Sequence, residues 1–127
     1  MAENYVQEML EQKVWAVVGV SRDTKKYGYK IYKKLLDKGY TVYPINPNMT
    51  EIDSNKVYES LKELPEVPQV VNFVVPPRVT RQVVEEAKEL GVHYLWMQPG
   101  SVDATAVKSA EEAGITVIQG QCVLKLA

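Results

Sequence analysis

The sequence predicts an α/β fold: a Rossmann-like, doubly wound three-layer αβα sandwich with a mainly parallel sheet of about five strands. Two patterns lead there. A helix closed by glycine runs straight into an apolar segment at Leu36-Asp37-Lys38-Gly39, at Lys88-Glu89-Leu90-Gly91 and at Glu111-Glu112-Ala113-Gly114. Glycine takes the left-handed backbone that ends a helix, so this recurring grammar is that of βαβ units. The apolar segments that follow are continuous rather than alternating, which marks strands buried on both faces beneath helices.

Taken in order, Val6, Met9 and Leu10 indicate a short leading helix. Strands are expected at residues 14–18, 41–43, 70–75, 94–97 and 116–118. Ile31 and Leu35 mark the helix after the first strand. Val79, Val83, Ala87 and Leu90 mark a second, with Glu85, Glu86, Lys88 and Glu89 largely on its other side. Ala106, Ala110 and Ala113 mark a third. Right-handed crossovers join these strands. No linker or low-complexity tract interrupts the 127 residues, so residues 1–127 are expected to form one domain around one core.

Composition narrows the function. The net charge is −1 with both signs mixed along the chain, which gives no electrostatic footprint for nucleic acid or a membrane surface. Apolar runs such as residues 14–18 fall far short of the roughly 20 residues a membrane helix needs. The acidic start, with Glu3, Glu8 and Glu11, is unlike a signal peptide. A single cysteine, Cys122, excludes an internal disulfide and fits a reducing cytoplasm, the expected location. Asn48-Met49-Thr50 matches a glycosylation sequon, read as chance in that setting.

In a doubly wound sheet, ligands bind beyond the carboxyl ends of the strands, where strand order reverses. That points first to residues 19–28, from Gly19 to Gly28. Gly19 permits a tight turn, Ser21 offers a hydroxyl, and Arg22, Lys25 and Lys26 supply positive charge. The helix that follows presents free N–H groups and the positive end of its dipole. The loop is therefore read as a phosphate site. The loops after the second and third strands, Pro44-Ile45-Asn46-Pro47-Asn48 and Pro76-Pro77-Arg78, face the same crevice, as does Gln98-Pro99-Gly100-Ser101.

Two common nucleotide signatures are missing. There is no G-x-G-x-x-G, and the second strand ends Tyr43-Pro44-Ile45-Asn46 without the acid that holds an adenosine ribose, which disfavours NAD. There is no G-x-x-x-x-G-K-[ST], which disfavours a P-loop. His93 opens the fourth strand, roughly 13 Å from the crevice by strand rise, so it is a surface or structural residue. No catalytic residues and no metal site are expected. Cys122 is read as a small packing residue near the crevice rim, and Trp15 and Trp96 as core. Tyr27, Tyr29 and Tyr32 pack beside the loop, with Tyr27 placed to touch a ligand.

Several segments occur together in order: Val17-Val18-Gly19-Val20-Ser21, Tyr43-Pro44-Ile45-Asn46-Pro47, Phe73-Val74-Val75-Pro76-Pro77, Leu95-Trp96-Met97-Gln98-Pro99-Gly100, Glu111-Glu112-Ala113-Gly114-Ile115 and Cys122. From about Val14 to Cys122 the chain resembles the stand-alone CoA-binding domain proteins, related to the N-terminal domain of the succinyl-CoA synthetase α subunit. The resemblance implies a Rossmann-like fold holding coenzyme A or an acyl-CoA. It implies contacts from Gly19, Val20, Ser21 and Arg22, from Asn46 and Pro47, and from Val75, Pro76 and Pro77. Many relatives carry lysine directly after Asn-Pro, where this chain has Asn48, so Arg22, Lys25 or Lys26 would supply that phosphate contact. The synthetase's phosphohistidine domain is absent from this sequence. The expected function is thus a non-catalytic coenzyme A binding protein. Two other classes stay open: an enzyme acting on an acyl-CoA thioester, and a protein-interaction module that has lost its ligand.

Overall fold

The computed structural model describes the backbone of residues 2–127 and the side chains of residues 5–127. The chain runs α1 (Ala2–Leu10), β1 (Val14–Val18), α2 (Tyr27–Asp37), β2 (Thr41–Ile45), the hairpin β3 (Glu51–Ile52) and β4 (Asn55–Lys56), and a 3₁₀ turn (Leu61–Glu63). It continues β5 (Val70–Phe73), α3 (Pro77–Leu90), β6 (Tyr94–Met97), α4 (Ala104–Glu112), β7 (Thr116–Gln119) and α5 (Val123–Leu126). Five strands form one parallel sheet in the order β2-β1-β5-β6-β7. The chain order reverses between β1 and β5, the switch point of a doubly wound sheet.

Burial follows from this layering. Residues 15–18 of β1 are at most 4 % exposed because both sheet faces are covered. On one face Phe73, Leu95 and Met97 pack with Val84 and Ala87 of α3 and Ala110 of α4. On the other, Trp15 and Trp96 pack with Met9 of α1 and Ile31 and Leu35 of α2. The outer strands β2 and β7 carry exposed residues at their ends. Pro44 is tolerated in β2 because that strand lies at the sheet edge, where the missing donor breaks no ladder. Its carbonyl accepts from Tyr58 N–H at 2.9 Å, so the chain after the hairpin returns along that edge.

The structure revises some expected elements. β2 reaches Ile45 and β5 stops at Phe73, so Val74 and Val75 belong to the crevice. The buried stripe of α3 is Thr80, Val84 and Ala87; Val79, Val83 and Leu90 are only partly covered. Ala113 caps the end of α4 and is exposed, and Val107 completes its inner face. The β3–β4 hairpin turns through Asp53 and Ser54, both at positive φ (47° and 67°). A two-residue turn of that hand is usually announced by glycine, and none is present.

Candidate functional site

The site is built where the loops after β1, β2 and β5 meet. Gly19 takes φ +100°, and a Cβ there would lie 2.2 Å from Val74 O and 2.7 Å from Val75 Cγ1. Only glycine lets the β1 and β5 loops come this close. Gly28 plays the second part of the same fit. It sits in the first turn of α2, and a Cβ on it would lie 2.3 Å from Gly19 O. Two glycines thus seat the start of α2 directly on the turn after β1.

Asn46 ties the β2 loop to the β1 loop. Its Nδ2 donates to Val20 O at 2.8 Å, and its Oδ1 accepts from Asn48 N–H at 2.8 Å. Val75 N–H donates to Ser101 Oγ at 2.9 Å, and Thr80 Oγ1 donates to Ser101 O at 2.8 Å, which fixes the β5 loop against the loop after β6. Ser21 Oγ accepts from Asp23 N–H at 3.0 Å, and Asp23 Oδ1 accepts from Lys25 N–H at 2.9 Å. The β1 loop is therefore braced by its own side chains. Lys26 occupies the cap position of α2 without any side-chain cap, so the first-turn N–H groups of this helix have no side-chain acceptor there.

Between these loops lies a cleft of about 340 Å³. Of the residues singled out from the sequence, Gly19, Asn46, Pro47 and Val75 line it. Val79 and Val83 add an apolar wall, which explains why that part of the α3 stripe is not core. Gln82, Glu59 and Glu86 add polar groups to the lining, and Glu86 Oε1 accepts from Leu61 N–H at 3.0 Å. Nothing in the linear pattern marks Glu59 or Gln82, because only the fold brings them here.

The remaining candidates stand outside the cleft. Val20 is 1 % exposed and reaches the crevice through its backbone alone. Arg22, Lys25 and Lys26 of the β1 loop are exposed, and Ser21 is half-buried. Pro76 and Pro77 are exposed at the start of α3, with Pro77 its first residue. His93 is exposed at the opposite end of the sheet. Among the described residues no group of three His, Cys, Asp or Glu is arranged to hold a metal, and no helix is long and apolar enough to cross a membrane.

Other strong contacts brace the scaffold. Asp103 caps α4 by accepting from Ala106 N–H at 2.9 Å and receives two bonds from the Arg81 guanidinium, at 2.8 and 3.1 Å. Arg81 and that N–H hold the Asp103 carboxyl below its usual range. Tyr43 donates to Glu66 Oε2 at 2.6 Å, and its phenol is pushed up to about 12 chiefly by that bond.

The geometry matches a known sequence family. The CoA binding domain family matches residues 13–127. The chain belongs to the CoA-binding domain family. The uncharacterized protein YneT of Bacillus subtilis is 32% identical over 119 residues, spanning 93% of this chain and 88% of YneT. A conserved hypothetical protein of Pyrococcus furiosus has a solved structure at TM-score 0.85 and 43% identity, covering 91% of this chain and 99% of that one. The α subunit of an ADP-forming acetate–CoA ligase of Pyrococcus furiosus is 40% identical over 78 residues, which are 61% of this chain. The match spans only 17% of that subunit's length.

Proposed function

We propose that this protein binds coenzyme A or an acyl-CoA without transforming it, as one CoA-binding domain over residues 1–127. One observation carries the proposal: the contact of Gly19 with Val74 and Val75 at the switch point, with an apolar cleft on one side and an uncapped helix start on the other. This division suits a ligand with a flat heterocycle at one end and phosphates next to it. The walls formed by Ile45, Pro47, Val75 and Val79 suit the adenine. Glu59 and Glu86 carry the wrong sign for phosphate and the right sign to accept from an exocyclic amine. The phosphates would lie toward Gly19, Ser21 and the N–H groups of α2, with Arg22, Lys25 and Lys26 closing over them.

Charge reversal tests this assignment. Arg22→Glu, and Lys25→Glu with Lys26→Glu, are expected to weaken coenzyme A binding about tenfold while leaving the circular dichroism unchanged. The loss shrinks with dephospho-CoA where the reversed residue meets the 3′-phosphate. It stays the same where that residue meets only the pyrophosphate. Folded variants that bind like wild type would leave the anion site to the backbone N–H groups and Ser21.

A further inference from the structure

Averaged over the chain the two signs of charge nearly cancel, but the fold separates them. Residues 22–38, which hold most of the β1 loop and all of α2, carry seven basic and two acidic side chains, a balance of +5. Residues 59–112, which supply α3 and α4, carry five basic and nine acidic ones, a balance of −4. The sheet stands between the two groups. Ile31 and Leu35 of α2 pack on one face of it, and Val84 of α3 and Ala110 of α4 pack on the other. The cleft lies where they meet: Glu59 and Glu86 line it from the acidic region, and Gly19 opens the loop that carries the basic one.

The positive charge runs the length of α2. A groove of about 480 Å³ reaches from Thr24 in the β1 loop to Lys38 past the helix end, with Lys30, Lys33 and Lys34 along it. Lys34 is engaged with the scaffold, since its Nζ donates to Leu124 O at 2.9 Å. Lys33 meets Asp37 at 3.5 Å, but both side chains are exposed and such a pair is worth little. Helix stability does not explain this arrangement. Basic side chains suit the last turn of a helix and oppose the positive end of its dipole at the start. Lys34 and Lys38 suit the end of α2, whereas Lys25, Lys26 and Lys30 crowd its start, with no acidic residue in the first turn. Charges set against the dipole call for an anion from outside the protein.

We infer that α2 guides the phosphates of coenzyme A to the β1 loop and so raises the rate of capture, an assignment that rests on the coenzyme A reading above. The pyrophosphate and 3′-phosphate make the ligand a polyanion, and a surface of opposite sign draws it in before any contact forms. The acidic face repels it. The ligand therefore arrives phosphates first on the α2 side, with its uncharged adenine toward Glu59 and Glu86. Lys30, Lys33 and Lys38 lie roughly 6, 10 and 18 Å along the helix axis from Lys26. Screening sets in beyond about 30 Å at roughly 0.01 M salt and beyond about 8 Å at physiological strength. The whole helix thus acts at low salt, and only its first turns act at physiological salt. Charges at such distances change the approach of the ligand and leave its bound contacts alone.

The test measures association of coenzyme A by stopped flow, and dissociation by displacement, for three proteins whose folding is checked by circular dichroism. They are wild type, the α2 variant Lys30→Glu with Lys33→Glu, and the control Lys13→Glu with Lys108→Glu. The control makes the same change in net charge at exposed sites outside α2. At roughly 0.01 M salt the α2 variant is expected to associate about 3- to 10-fold more slowly than wild type, with dissociation within about twofold. That difference should vanish near about 1 M salt, where the screening length is only about 3 Å. The control should associate within about twofold of wild type at either salt. Association as fast as wild type in the α2 variant would overturn the guide, and so would equal slowing in both variants, which assigns the effect to net charge. Faster dissociation of the α2 variant with unchanged association would make these lysines direct contacts and overturn it too. Failure of folded wild type to bind coenzyme A would overturn the binding function itself, and the guide with it.

Discussion

Gly19→Ala is expected to lower unfolding stability by roughly 2–5 kcal/mol, the largest effect of any single methyl in the crevice. Two costs add at this position. A side chain at φ +100° is strained by about 1–2 kcal/mol. The new Cβ also meets Val74 O at 2.2 Å, and forcing extra atoms into a closed fit costs a further 1–3 kcal/mol or so. Two other glycines separate these terms. Gly39 has φ +94° with nothing within 4 Å, so Gly39→Ala shows the conformational cost alone, about 1–2 kcal/mol. Gly28 lies in a helix, where alanine normally gains about 1 kcal/mol, yet its Cβ would lie 2.3 Å from Gly19 O. Gly28→Ala should therefore destabilise. Urea denaturation of the three variants checks the order, and a stabilised Gly28→Ala protein would contradict the close seating of α2 on the β1 turn.

Asn46→Asp should cost the most in binding. The substitution keeps an oxygen to accept from Asn48 N–H but replaces the donor facing Val20 O with a second acceptor. Val20 O loses its partner, worth about 1–3 kcal/mol for a buried group, and the two loops are pushed apart. A negative charge is placed beside the assigned phosphate site as well. Coenzyme A affinity is expected to fall about 10- to 100-fold, with a smaller loss of stability. The measurement is titration of the folded variant beside Asn46→Ala, which removes the tie without adding charge. If both variants bind like wild type, the tie between the loops does not shape the site.

The sheet was legible in the sequence because its strands are continuously apolar and three of them, β2, β6 and β7, follow a helix closed by glycine. Trp15, Val17, Val71 and Leu95 are fully buried for that reason. The ends of elements were less visible. Val74 and Val75 read as strand because their side chains are apolar, yet they line the crevice. Val79 and Val83 read as core on the same ground and form the cleft wall. Periodicity reports apolarity, and apolarity does not say whether its partner is the protein or a ligand. Gly19, Asn46, Pro47 and Val75 were accessible to sequence because the switch-point rule applies to loops adjacent to strands. Glu59 and Gln82 reach the cleft through long-range packing, which leaves no local pattern.

Calorimetric titration of the wild-type protein with coenzyme A and with NAD, each at low and at high salt, decides whether the crevice is shaped for coenzyme A. Asn46, directly after β2, has its amide engaged with Val20 O and Asn48 N–H, and this loop offers no acid to a ribose. Coenzyme A should bind at least about tenfold more tightly than NAD, and its affinity should fall as salt rises because phosphates carry part of the interaction. NAD binding as tight as coenzyme A, or no coenzyme A binding by the folded protein, would show that the crevice is not shaped for coenzyme A.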